Sequence, residues 1–350
     1  CAPRRGGAQG KPARHHVALP LTVGCGTLIG MGGSRQSLVP LAAFVVAVAG
    51  LAALVAAACG GASGASSEVT VRLATPAGPT ATPTLLPGET VEALEPPELV
   101  LSTLEVYQAG AILVSVTGDI RGGQVTFLGR KFPLTPGSRS QYTFVPVDAG
   151  DPAGEHQLEV DVTLPTGTKG TLQETITVVP TEWTVDYLEF TPEQVTELLD
   201  PAVTAEELAM LKSIYVKVTP EKLWEGPWQV PVAGALTARY GEQRSVNGSE
   251  PSGHHGGTDF GTFEGTPVVA TNSGRVVLAR ELKVRGNMVI IDHGGGLYSG
   301  YGHLSAIEVA EGDMVESGQQ IGLVGNTGLS TGAHLHWEMS VGGVLVDGLR

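Results

Sequence analysis

Between Leu99 and Val179 apolar and polar positions alternate with a period of two. The runs Ala111-Ile112-Leu113-Val114-Ser115-Val116, Gln124-Val125-Thr126-Phe127-Leu128 and Gln157-Leu158-Glu159-Val160-Asp161-Val162 carry the pattern most clearly. Successive side chains of a strand point to opposite faces, so such runs bury one side and wet the other. Turn clusters separate them: Arg121-Gly122-Gly123, Thr135-Pro136-Gly137-Ser138 and Pro165-Thr166-Gly167. Short strands at this spacing predict a small antiparallel sandwich over residues 99–180. Over 181–223 the period changes. Thr191-Pro192-Glu193-Gln194 reads as an N-cap with proline in the first turn, and Thr204-Ala205-Glu206-Glu207 as a capping box. Together they predict two short helices, about 192–200 and 205–214, in a connector. Around Trp224 a glycine-rich β pattern resumes and continues over 224–350.

Before residue 99 the alternation is absent. Leu38 to Ala58 is an uncharged apolar run of 21 residues behind Arg35 and Met31, the first methionine. That layout predicts an export signal over 31–59, and the run is also long enough to span a bilayer. Residues 1–30 read as upstream or non-native sequence and are set aside from the fold. The stretch Val55-Ala56-Ala57-Ala58-Cys59-Gly60 resembles a bacterial lipobox, in which Cys59 becomes the lipidated N-terminus; a leucine is more usual where Ala56 stands. A lipid anchor on Cys59 and an uncleaved membrane span are the two alternatives. Both place the body outside the cytoplasm, held at the membrane of the cell envelope. Residues 60–98 hold six prolines and no aromatic residue, which predicts an extended tether without a core of its own.

Composition narrows the class. The chain has 350 residues, 42% of them apolar, enough to exclude a wholly disordered polypeptide. Only 16% are charged and 49 are glycine, which argues against a coiled coil or helical bundle. The expected fold is mainly β: an immunoglobulin-like sandwich and a second β domain, joined by a short helical segment. Formal net charge is −14, and all 35 acidic groups lie after residue 67. So acidic a body repels phosphate backbones, which excludes nucleic acid as a partner. The cysteines are Cys1, Cys25 and Cys59. A disulfide framework or cysteine-ligated zinc site in the folded part is therefore excluded, and metal chemistry must come from His, Asp and Glu.

Six of the nine histidines fall between residues 254 and 336. In His255-Gly256-Gly257-Thr258-Asp259 the glycines disfavour a helix. On an extended chain His255 and Asp259 share a face, with Gly257 placing no side chain between them. In His334-Leu335-His336-Trp337-Glu338 the period of two puts both imidazoles on one face and turns Leu335 and Trp337 to the core. Two residues of strand separate those rings by roughly 6–7 Å, awkward for joint ligation but suited to flanking a metal-bound water. A third fragment is Tyr301-Gly302-His303-Leu304-Ser305. His255, Asp259 and His336 would make a three-ligand set that leaves a tetrahedral zinc open, the mark of a hydrolytic rather than a structural site. His303 and His334 are then available to move a proton or stabilise an oxyanion.

At these residues the chain from about 224 to 347 resembles the lysostaphin-type (LytM-like) zinc metallopeptidases that cut peptidoglycan peptides. The resemblance rests on His255-x-Gly-x-Asp259, Tyr301-x-His303-Leu304 and Gly328-x-Ser330-Thr331-Gly332-x-His334-x-His336. Gly265-Thr266-Pro267-Val268, Gly318-Gln319-Gln320-Ile321-Gly322 and Val324-Gly325-Asn326-Thr327-Gly328 add to it. It implies one zinc on His255, Asp259 and His336, with His303 and His334 catalytic, in a β domain whose antiparallel sheets form a groove over the metal. It also implies a peptidoglycan peptide as substrate; a monomer is expected. Certain members place a tyrosine six residues before the first ligand, where this chain has Ser249, and Tyr240 is the candidate to replace it.

Competing readings are fewer. Gly328-Leu329-Ser330-Thr331-Gly332 fits the G-x-S-x-G elbow of serine hydrolases, which needs a helix directly after it, whereas the following residues read as a strand. His254 misses the offset to Asp259 and reads as a solvated neighbour; His293, in a turn, reads as structural or as a substrate contact. The non-enzymatic alternative is a zinc-containing envelope-binding or hydrolase-activator module. Two proton-transfer histidines beside the ligands weigh against it.

Overall fold

A computed structural model describes residues 69–72, 94–198 and 200–350. The expected export signal over 31–59, Cys59 and most of the tether lie outside the described residues. Among the described residues, no helix is long and apolar enough to cross a membrane. The chain is mainly β, as the alternation predicts.

The first β region stacks two five-stranded sheets face to face. Its core is the inward half of each alternating run: Ile112, Val114 and Val116 from Ala111–Thr117, and Leu158, Val160 and Val162 from Gly154–Thr163, meeting Val125, Phe127 and Ile176. All three residues of each run are inaccessible or nearly so, while their neighbours stay wet. Val69–Arg72, inside the segment read as a tether, pairs antiparallel with Glu98–Leu101 and so extends one sheet. Two valines flanking a threonine suit a pleated strand, whatever the proline content around them.

The connector departs from expectation in a way that matters for the site. It begins with the strand Val185–Leu188, paired in parallel with Gln243–Val246. Thr191 and Gln194 then close a reciprocal box: Gln194 N donates to Thr191 Oγ1, and Thr191 N to Gln194 Oε1, starting the helix Pro192–Leu198. The second helix is Pro201–Tyr215, four residues earlier than the Thr204 box predicts. Asp200 caps it, accepting from Ala202 N and Val203 N, with Pro201 preset for the first turn. Thr204 lies inside the helix and bonds back to the Asp200 carbonyl, and Glu207 is drawn to other partners.

The C-terminal β region is built on a large antiparallel sheet. Its central strand, His334–Val341, lies between Thr258–Gly261 and Leu297–Leu304, with Asn287–Gly294 and Gly274–Glu281 beyond. A three-stranded sheet of Pro267–Val269, Gln320–Leu323 and Ala306–Ile307 packs against it over Val268, Val289, Ile291, Leu304, Ile321, Leu335 and Trp337. Leu335 and Trp337 do face this core. The alternate positions of the same strand are thereby turned to the other side.

Candidate metal centre

Register brings the fragments together. His336 pairs directly opposite Asp259 on one side and opposite Gly302 on the other. Residues opposite each other in antiparallel strands point to the same face, so Asp259 and His336 meet across 77 residues of sequence. His336 Nδ1 stands 2.7 Å from Asp259 Oδ1. His255 lies just before the strand Thr258–Gly261 rather than on it, contrary to the shared-strand expectation. Its backbone is fixed instead by exchange with 241–242: His255 N donates to the Glu242 carbonyl and Gly241 N to the His255 carbonyl. His255 Nε2 then reaches 3.2 Å from Asp259 Oδ1 and 3.1 Å from His336 Nδ1. The three residues are 2%, 6% and 7% exposed.

The protons on the two rings show what this cluster can hold. His255 donates Nδ1–H to the Arg239 carbonyl at 3.0 Å, and His336 donates Nε2–H to Glu338 Oε1 at 3.1 Å. A neutral imidazole has one N–H, so the nitrogens facing inward are lone-pair acceptors. Two such nitrogens and a carboxylate oxygen within 2.7–3.2 Å of one another demand a positive charge among them. Tetrahedral ligands on zinc bonds of about 2.0–2.1 Å stand roughly 3.3 Å apart; the two separations from His255, 3.2 and 3.1 Å, match this, while His336 Nδ1 and Asp259 Oδ1 stand closer at 2.7 Å. A proton meets the same demand in part. Burial alone would lower the His336 pKa, but Asp259 and Glu338 raise it above the ordinary value. Burial also opposes ionisation of Asp259, yet His336 and His255 hold its carboxyl well below the usual range. His255, mainly through burial, is pushed down.

The remaining two histidines flank the cluster. His303 ends the strand Leu297–Leu304 at φ 59°, a left-handed conformation costly for a residue with a Cβ. Its N–H donates to the Arg285 carbonyl and its Nδ1 to the Thr327 carbonyl at 2.7 Å, leaving Nε2 free. Burial, with His336 and His334 nearby, lowers its pKa to about 3. His334 Nδ1 is turned to the Gly332 carbonyl at 2.8 Å, and its Nε2 comes within 3.7 Å of Asp259 Oδ2. The His303 and His334 rings lie 4.8 Å apart, centre to centre. All five residues singled out in the sequence thus converge.

Other readings resolve as well. Ser330 Oγ donates to the Gly332 carbonyl, and a strand, not a helix, follows it, so no nucleophile elbow forms. Tyr240 donates its hydroxyl to the Leu345 carbonyl, which commits it elsewhere. Ser249 Oγ accepts from Val246 N in a local turn. His254 is exposed against Trp183. His293 is fully buried, bonded through Nδ1 to the Ser273 carbonyl and through Nε2 to Ser299 Oγ, so it contacts no substrate.

Residues 253–348, which hold the three clustered ligands and both flanking histidines, match the family described as Peptidase family M23. This stretch is an M23 peptidase domain. The M23 domain is 47% identical over 96 residues to peptidoglycan DD-endopeptidase ShyA of Vibrio cholerae, covering 27% of this chain and 22% of that protein. It is 44% identical over 93 residues to the DD-carboxypeptidase/endopeptidase Mpg of Neisseria meningitidis, covering 27% and 21%. The chain therefore spans about a fifth of the length of these curated relatives. A crystal structure of an M23 peptidase candidate from Pseudomonas aeruginosa superposes with a TM-score of 0.52 at 27% identity, over 69% of this chain and 92% of that one. That likeness reaches well beyond the M23 domain.

Residues outside the sequence reading also shape the centre. Arg244 places NH2 3.6 Å from Asp259 Oδ2. Glu338 and Arg285 lie directly behind His336. Of these, Glu338 alone had a local signal, since it shares the face of the two histidines in the run His334–Glu338.

Proposed function

We propose that the chain is a zinc-dependent endopeptidase that hydrolyses peptide cross-links of bacterial peptidoglycan. The observation that carries this reading is the convergence of His255 Nε2, Asp259 Oδ1 and His336 Nδ1 with two further imidazoles beside them. His255, Asp259 and His336 would hold the ion. Zinc, when bound, acidifies a water to a pKa of roughly 7 and polarises a carbonyl. His303 and His334 have each donated Nδ1–H to a main-chain carbonyl, so each offers Nε2 as acceptor. One Nε2 can take the proton of the attacking water, and a protonated one can deliver it to the leaving amine or hydrogen-bond the developing oxyanion. Burial and the neighbouring imidazoles hold His303 neutral, so its Nε2 carries a lone pair. The two relatives are named a peptidoglycan DD-endopeptidase and a DD-carboxypeptidase/endopeptidase, which makes a DD cross-link the bond of first choice.

Incubation with purified sacculi should release new amino groups, in a manner sensitive to chelators and indifferent to serine-directed reagents. His334→Ala should reduce turnover by about 10²–10⁴-fold while zinc remains bound. Full activity in that variant would refute the assignment, and a zinc-loaded wild type without turnover would favour a binding module. Mass spectra of the released fragments identify the bond. We further infer export and membrane tethering through residues 31–59. Labelled palmitate incorporated by the wild type and lost in Cys59→Ala supports the lipid anchor; membrane association without label supports the uncleaved span.

A further inference from the structure

The helix Pro201–Tyr215 is joined to the metal centre by an unbroken path of buried polar side chains. Tyr215 donates its hydroxyl to Glu338 Oε2 at 2.8 Å. Glu338 Oε1 accepts from His336 Nε2 at 3.1 Å and from Arg285 Nε at 2.7 Å. Arg285 NH1 reaches Glu207 Oε1 at 3.3 Å, and Glu207 also accepts the backbone N–H groups of Val284 and Arg285. Glu338 is completely buried, with Tyr215 and Glu207 nearly so. Backbone packing is adjusted to admit this path. A Cβ on Gly300 would lie 2.8 Å from the Tyr215 hydroxyl, so only glycine lets the tyrosine reach Glu338.

The chemistry gives the path a purpose. The nitrogen of an imidazole that carries the proton is set by the partner of the other nitrogen, and a carboxylate can only accept. Glu338 already accepts from Arg285 Nε and from the Tyr215 hydroxyl, so in its contact with His336 it is again the acceptor and the proton belongs on His336 Nε2. Nδ1 is then a lone pair directed at His255 and Asp259. We propose that Glu338 is a positioning residue of the metal centre, held by Tyr215 and Arg285, so that the helix Pro201–Tyr215 supports zinc binding rather than merely linking two β regions. This role rests on the zinc reading above.

Zinc affinity of the full chain, measured by competition with a chromophoric chelator, tests it. Glu338→Gln preserves shape but lets an amide accept from or donate to the ring, so the tautomer is no longer imposed. Its zinc dissociation constant should rise by about 10–100-fold, and Tyr215→Phe, which removes one hydroxyl from an intact ring, should fall at the lower end of that range. The slowly exchanging His336 Nε2–H signal of the zinc-loaded wild type should be lost in Glu338→Gln. Val160→Ala, in the sandwich core, should lower thermal stability and leave zinc affinity unchanged. Unaltered affinity in both network variants of a chain whose wild type binds zinc would overturn the role and spare the zinc reading. A wild type that takes up no zinc would instead sink the reading of the site itself.

Discussion

Two residues show how much a single backbone position decides here. Gly257 sits between the ligands His255 and Asp259, where a Cβ would approach the Trp337 carbonyl to 2.5 Å and His336 Cε1 to 2.8 Å. The carbonyl cannot yield without breaking the ladder, so the ring must. Gly257→Ala is expected to displace His336 and weaken zinc binding at least tenfold, by roughly the about 10–100-fold scale of lost ligand support; wild-type affinity would contradict this geometry. His293 tests the opposite kind of site, one with no chemistry to perform. Burial drives its pKa down to about 4, against its bond to the Ser273 carbonyl. The unfolded chain binds this proton near pH 6.5 and the folded chain does not, so stability is complete above that pH and falls as pH drops towards 4. Between pH 6.5 and 5 this one group should cost about 2 kcal/mol. Denaturant titrations at both pH values should show a smaller loss in His293→Gln, and equal slopes would dismiss the idea.

At the level of elements, legibility followed the range of the interaction. Alternation along one strand exposed the inward residues of Ala111–Thr117 and Gly154–Thr163, because burial of one face is written locally with period two. His334 and His336 were readable for the same reason. Glu338 shares that face, but its partners Arg285 and Tyr215 are 53 and 123 residues away. No local period could reveal them. The first helix starts at Pro192 as expected, and only the second start is displaced, where two caps compete. Asp200-Pro201 supplies both a carboxylate acceptor and a preset φ, whereas the Thr204 box needed Glu207 to fold back on its own helix, and Glu207 binds Val284, Arg285 and the Arg285 guanidinium instead. Asp200→Ala should therefore cost about 1 kcal/mol, the usual loss of a cap, and Thr204→Ala markedly less. Chemical denaturation of the two variants gives the comparison, and the reverse order would restore the Thr204 box.

Across the described body, the sandwich is docked on the M23 domain by a small apolar seam. Phe144 of the sandwich meets Trp224 edge-on, 6.5 Å between ring centres, and packs on the cluster of Leu297, Val341 and Val346. Two hydrogen bonds bracket the seam: Asp347 N donates to the Ala109 carbonyl, and the Arg350 guanidinium donates through NH1 to the Gln108 carbonyl at 3.0 Å. Each β region has its own buried core, so neither needs the other to exclude water. What the seam adds is coupling, and half-buried Phe144 is the side chain that the sandwich contributes to this cluster. Full burial of such a ring is worth about 3–5 kcal/mol against alanine, and partial burial less, which is of the order needed to join two otherwise separate transitions. Calorimetry of the wild-type chain should accordingly show one unfolding event, and Phe144→Ala two, the first sensitive to zinc or not according to which region melts earlier. A single transition surviving in Phe144→Ala, with zinc shifting all of it, would mean that the bonds of Asp347 to Ala109 and of Arg350 to Gln108 couple the two regions without the seam.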